Sequence, residues 1–147
     1  MPTLTLIRGL PGSGKTWIAD AIQARADSTP KKLIAWFEAD LWFQDHNGGK
    51  FDANNLPEAH AWCRRMAQYA LQDNIDVVVS NTFTRLWELQ PYLDMVRQLG
   101  VSLQVVYVQS DFESVHAVPP ATLAKMEGRW EEFNLKEWRR KNEQQSD

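Results

Sequence analysis

The stretch Arg8-Gly9-Leu10-Pro11-Gly12-Ser13-Gly14-Lys15-Thr16 leaves this chain few folds to choose from. It fits G-x-x-x-x-G-K-[ST], with Gly9, Gly14, Lys15 and Thr16 at the fixed positions. Glycines let backbone N–H groups curl around a phosphate with no Cβ in the way. In such a loop, with Pro11, Gly12 and Ser13 completing it, Lys15 reaches the β- and γ-phosphates and the Thr16 hydroxyl sits on Mg²⁺. The loop works only between a buried strand and a helix whose N-terminus attracts anions. Thr3-Leu4-Thr5-Leu6-Ile7 is an alternating-to-apolar run that reads as the strand, and Trp17-Ile18-Ala19-Asp20-Ala21-Ile22 continues as the helix. Strand, loop and helix stand in the required order. The sequence therefore predicts a nucleoside triphosphate site.

The rest of the chain alternates in the same way. Helices are predicted from about Lys15 to Ala26, Leu56 to Gln72 and Arg85 to Leu99, with Gly100 as the C-terminal stop of the third. Ala59, Cys63, Met66 and Ala70 share one face of the second helix. Lys32–Phe37, Asp76–Ser80 and Val101–Val108 read as strands, and the β-branched middle of 76–80 marks a central parallel one. Leu41-Trp42-Phe43 reads as an aromatic loop, and Asp45–Lys50 as a polar, turn-prone surface loop. From Pro119 onward the chain reads as helical and increasingly charged. This succession implies an α/β fold of three layers, a parallel sheet with helices on both faces.

A length of 147 residues suits one domain with one core, and 44% hydrophobic content is ordinary for a soluble globular protein. The lone Cys63 can form no internal disulfide, which agrees with a reducing cytoplasm. No signal peptide and no apolar run of membrane-spanning length is expected. A net charge of −3 argues against broad, sequence-independent attraction to nucleic acid.

In such sheets ligands bind outside the carboxyl ends of the strands, which singles out Asp40 and Ser80-Asn81-Thr82. Asp40 can take a proton from an attacking hydroxyl, or it can simply cap a turn; spacing alone leaves both open. Glu38 can share the role but ranks lower, because it sits inside the apolar strand end. At Ser80-Asn81-Thr82 a carboxylate would help hold Mg²⁺, and none is there; Asp76 begins that strand at its opposite end. Metal binding then rests on Thr16, phosphates and water. No His or Cys cluster has metal-ligand spacing, so zinc is not expected. His60 reads as a partly buried packing residue. Trp42, Phe43 and Phe51 can stack on an acceptor base or close their loop onto the core, and the second is preferred. Trp138-Arg139-Arg140-Lys141, surrounded by Glu131, Glu132, Glu137 and Glu143, reads as a solvated, salt-bridged face.

Taken together, these residues resemble the small P-loop kinases related to 5′-hydroxyl polynucleotide kinase. Within them the likeness is to the Nedd-binding-protein-like group and its bacterial and phage relatives, often labelled AAA family ATPases. The matching blocks are the P-loop, Ala39-Asp40 with Trp42-Phe43, Phe51 through Cys63, and Ser80–Thr84 with Trp87–Tyr92. His116-Ala117-Val118-Pro119 with Met126 and Arg129-Trp130-Glu131 resembles the end of the family's lid, here a short one around 109–120. The resemblance implies a mononucleotide-kinase-like fold over 1–147, ATP as donor, and Asp40 as the base that activates the acceptor. Two positions depart from the family. Ser80 stands where the strand ends in aspartate, and Glu113-Ser114 replaces the Arg-Asn pair of the lid. Arg129, Lys125 or Arg85 can substitute for that arginine, whose role is to stabilise charge on the phosphoryl group in transfer. His116 can touch phosphate or bond the backbone of its turn.

The expected function is therefore ATP- and Mg²⁺-dependent phosphoryl transfer by Lys15, Asp40 and Arg129, with a nucleic-acid 5′-hydroxyl as the foremost acceptor. The alternatives are a small-metabolite kinase and a nucleotide-binding module with weak or no transfer activity. Neither a membrane nor a particular protein partner is implied.

Overall fold

The computed structural model describes residues 1–10, 13, 15–27, 33–108 and 120–145. Pro11, Gly12, Gly14 and nearly all of the expected lid, His116 included, lie outside them. The chain order is β1 (Thr3–Arg8), α1 (Lys15–Asp27), β2 (Ile34–Phe37), α2 (Ala39–Asp45), α3 (Leu56–Gln72), β3 (Asp76–Asn81), α4 (Leu86–Leu99), β4 (Ser102–Tyr107), α5 (Pro120–Gly128) and α6 (Leu135–Gln145). The strands form one parallel four-stranded sheet in the order β2-β3-β1-β4. This is the predicted α/β architecture, with β3 and β1 in its centre. Among the described residues, no helix is long and apolar enough to cross a membrane.

Strand parity sorts the core. Side chains alternate across a strand, so each strand feeds two layers. Ile7, Val78 and Val108 pack with Ala19 of α1, joined by Ile34 and Trp36 of β2. On the opposite face Leu4, Leu6, Val77, Val79 and Leu103 pack with Ala67 and Leu71 of α3 and with Leu89, Leu93 and Val96 of α4. The buried line of α3 is Ala59, Cys63, Ala67 and Leu71, an i, i+4 row; Met66 and Ala70 flank it. Asp76 Oδ1 accepts the Thr3 N–H at 2.8 Å, so this acid ties down the far end of the sheet.

Two stretches differ from the sequence reading. Leu41-Trp42-Phe43 is helical, inside α2. The cause is tertiary: the Asn81 Oδ1 accepts the first N–H of the helix, at Ala39, and Ala39 and Phe43 bury against Ala59 and Cys63 of α3. Phe43 closes onto the core as preferred, whereas Phe51 is 63% exposed and only its ring meets Phe43, at 5.2 Å.

The C-terminal stretch is also not one helix. It leaves helical form after Gly128 and resumes at Leu135, where Asn134 Oδ1 accepts the Glu137 N–H at 3.0 Å as a cap. The break exists because Trp130 and Glu131 turn inward to the sheet. Within α6, Lys141 pairs with Glu137 at 3.3 Å on the expected solvated face. Trp138 instead packs on the core, and Arg139 Nη2 donates to the Leu103 carbonyl at 2.8 Å.

Candidate active site

β1 delivers the chain to the phosphate loop at Gly9, where there is no room for a side chain. A Cβ there would lie 2.5 Å from Ser13 Oγ and 2.8 Å from the Val108 carbonyl oxygen. The second contact is backbone, held by the Val108 N–H donating to the Arg8 carbonyl at 2.9 Å, so it cannot swing away. Gly9→Ala is expected to weaken nucleotide binding about 5- to 150-fold, through an overpacking cost of about 1–3 kcal/mol. Titration with a fluorescent ATP analogue checks this; wild-type affinity would mean that the loop closes elsewhere.

Two described donors of the loop converge on the Leu10 carbonyl. Lys15, at the first position of α1, donates from Nζ to the Leu10 carbonyl at 3.0 Å. Ser13 is 4% exposed and its Oγ has no partner among the described residues, although its N–H is satisfied by Leu10 at 3.0 Å. A buried hydroxyl without a partner and an ammonium folded back on its own loop fit an arriving anion. Thr16 is described as backbone in α1 only, its side chain lying outside the described atoms.

Two carboxylates, Glu38 and Asp40, stand just past the end of β2. Glu38 is the extended residue before α2 (φ −148°, ψ 154°), and its side chain does not cap that helix. Burial, then Asp40, pushes its carboxyl up to about 7, with Lys15 pulling the other way. Burial also lowers the Lys15 pKa, opposed by Glu38 and then Asp40. The three groups thus act on one another electrostatically. Asp40 is exposed in the first turn of α2, where a negative charge also suits the helix dipole. The Asn81–Ala39 bond fixes the turn that carries both acids. His60 is half-buried on α3, and desolvation holds its pKa below the ordinary value, in keeping with a packing residue.

Beneath the loop, Arg8 is 2% exposed. Its Nη2 donates to the Phe83 carbonyl at 2.6 Å and to the Glu131 carbonyl at 2.8 Å; Nε donates to Phe83 at 3.1 Å. The guanidinium lies 4.1 Å over the Trp130 ring, which itself stacks on Tyr107. Burial lowers the Arg8 pKa, opposed first by Glu132, yet a guanidinium stays protonated. Glu131 closes the bundle: its N–H donates to the Thr84 carbonyl, and its carboxylate accepts from the Leu86 N–H at 2.9 Å and pairs with Arg85 Nε at 3.1 Å.

Of the cations considered for the lid arginine, Arg85 is thus committed to Glu131. Arg129 is exposed, its carbonyl receives Arg85 Nη1 at 3.4 Å, and its N–H donates to Lys125. No hydrogen bond or ion pair joins its side chain to Lys15, Glu38 or Asp40 among the described residues.

The pattern of the AAA_33 family, an AAA domain, matches residues 4–117. The chain belongs to this family. NEDD4-binding protein 2 of Homo sapiens is 35% identical over 91 residues, which cover 61% of this chain and 5% of that protein. Among solved structures, Kti12 of Chaetomium thermophilum in complex with ADP-AlF3 aligns with a TM-score of 0.68 and 16% identity, over 89% of this chain and 81% of that one. The APS kinase CysC of Mycobacterium tuberculosis gives 0.62 and 14%, over 77% and 79%. A chain of the Pnkp1/Rnl/Hen1 complex gives 0.58 and 17%, over 84% and 38%. At such identities these structures speak for the fold alone, and the fold is that of P-loop kinases.

Two residues weigh more in the structure than in the sequence. Glu38, second to Asp40 in the sequence for lying in an apolar strand end, continues the period of two through Ile34 and Trp36 on the α1 face. Arg8 opens the loop stretch but holds no fixed position of its pattern, and only the fold brings Phe83 and Glu131 to it.

Proposed function

We propose that this AAA-family chain, acting as one unit over 1–147, binds ATP with Mg²⁺ and transfers the γ-phosphate to a hydroxyl. A nucleic-acid 5′-hydroxyl is the first acceptor to test. The observation that supports this most is the strand–loop–helix geometry itself, with no room for a side chain at Gly9, a buried Ser13 hydroxyl, and Lys15 opening α1 with its ammonium folded over the loop. Gly9, Pro11, Gly12, Ser13 and Gly14 would cradle the phosphates. Thr16 would hold Mg²⁺, which supplies charge neutralisation when bound. Asp40 takes the proton of the acceptor hydroxyl, and its exposure leaves it reachable by that acceptor. Arg129, on the exposed turn after α5, is the cation assigned to the transferring group. Catalysis of this kind is positioning plus electrostatics, with little covalent work for the protein. The unpaired, buried Cys63 thiol suits a cytoplasmic setting.

A second reading has its own observation. The β3 end offers only the neutral Ser80 and Asn81, and Asn81 Oδ1 is spent on the Ala39 N–H. A site short of an acid there favours a nucleotide-binding module with slow turnover. A net charge of −3 favours a small-metabolite acceptor over a polynucleotide, which wants a basic groove.

Labelled-ATP transfer separates these readings, with 5′-hydroxyl DNA, 5′-hydroxyl RNA, a metabolite pool or no acceptor present and Lys15→Ala as the blank. Label on an oligonucleotide, lost in the blank, is the expected result. Label on a metabolite instead would replace the acceptor. Label confined to free phosphate, or ATP binding without turnover, would leave the module reading standing.

A further inference from the structure

The end of β3 presents two buried side chains and no charge. Ser80 is 1% exposed with an Oγ that has no hydrogen-bond partner among the described residues, and Asn81 uses its oxygen to hold the β2–α2 turn. The parallel registers show what stands next to them. Phe37 pairs with Val79, and Glu38, the extended residue that follows β2, continues that register toward Ser80. Ser80 in turn pairs with Ile7 and Asn81 with Arg8, at the base of the phosphate loop. Parity agrees with register. Ile34, Trp36 and Val78 all pack on the α1 face, and the next members of those two series are Glu38 and Ser80. Glu38 keeps the extended conformation that continues the alternation, and its carboxylate is not spent on capping α2. Lys15, the first residue of α1, interacts electrostatically with it.

From this juxtaposition we propose that Glu38 is the positioning carboxylate for the magnesium hydration shell at the phosphate loop, an acid moved one strand sideways from the neutral β3 end. The proposal rests on the reading of the loop as an ATP–Mg²⁺ site. Neighbouring strands lie about 4.8 Å apart. The longer stem of glutamate, with a metal-bound water between, suits that distance, since Mg²⁺ keeps much of its hydration and is served by carboxylates through water. Asp40, two residues on and exposed, keeps the role given to it above, that of base toward the acceptor. The two carboxylates therefore divide the work: Glu38 faces the nucleotide side and Asp40 the solvent side.

Equilibrium binding of a fluorescent ATP analogue tests this without any turnover. Wild-type protein and Glu38→Gln are titrated in excess Mg²⁺ and in chelator, with melting curves to verify that each variant folds. Glu38→Gln is expected to lose about tenfold or more of the Mg²⁺-dependent gain in affinity, as outer-shell partners of metals do. Its affinity in chelator should equal or exceed that of wild type, because a negative charge near the phosphates is gone. Glu38→Asp, which keeps the charge and shortens the reach, should fall between. Adding Ser80→Asp to Glu38→Gln should restore part of the gain by returning an acid to β3. An undiminished Mg²⁺ gain in Glu38→Gln overturns the proposal while leaving the ATP site intact. Wild-type protein that binds no nucleotide in either medium overturns both this and the underlying reading.

Discussion

Replacing Arg8 with leucine lowers the stability of the fold by roughly 3–5 kcal/mol. The figure follows from what the guanidinium serves. Two carbonyls, of Phe83 and Glu131, lose their donors at once, and a buried group left unsatisfied costs about 1–3 kcal/mol. The ring of Trp130 loses the cation 4.1 Å above it, a contact worth on the order of 1–2 kcal/mol when desolvated. For a chain of this size the loss corresponds to a fall in Tm of about 10 °C or more. Arg8→Lys keeps the charge without the planar fork, so it falls between leucine and wild type. Thermal melts of the three proteins decide the matter. A leucine variant melting within a degree or two of wild type would show that the carbonyls find other donors.

The second large effect is on rate. Asp40→Asn keeps the shape of the side chain but cannot take a proton. Under the proposed function, transfer falls by about 10²–10⁴-fold, the usual contribution of a general base. ATP affinity stays within about twofold, because the phosphates are held by the loop and Lys15. Transfer assays and ATP titrations on the same preparation check both halves. Parallel loss of binding and transfer would mean that Asp40 holds nucleotide instead.

The contrast between these two residues shows what a sequence of this kind discloses. Asp40 is legible because a topological rule points to strand ends, and the β-α alternation says where strands end. The same periodicity delivers α3 from Leu56 to Gln72 and the central position of β3. Short elements stabilised from a distance are not legible in this way. The seven residues of α2 carry no clear period of their own and depend on the Asn81 side chain and the floor provided by α3. The break between α5 and α6 is absent from the sequence expectation, which runs helical from Pro119; there Trp130 and Glu131 are held by Arg8, far away in sequence. Glu38 was within reach of a stricter reading, since Ile34 and Trp36 already state which face comes next.

The bond from Arg8 to Glu131 spans 123 residues of chain. Ribosomes add about 5–20 residues per second, so Arg8 waits roughly 6–25 s for its partner to be synthesised. Only late in that interval, once Tyr107 has been made, can all four strands pair, and even then Arg8 holds Phe83 alone, without the Glu131 carbonyl and without Trp130 to cover it. The loop that faces nucleotide is thus among the first parts of the protein to be made and among the last to be finished. A nascent chain stalled before Trp130 carries every residue of the loop motif on an unsecured base.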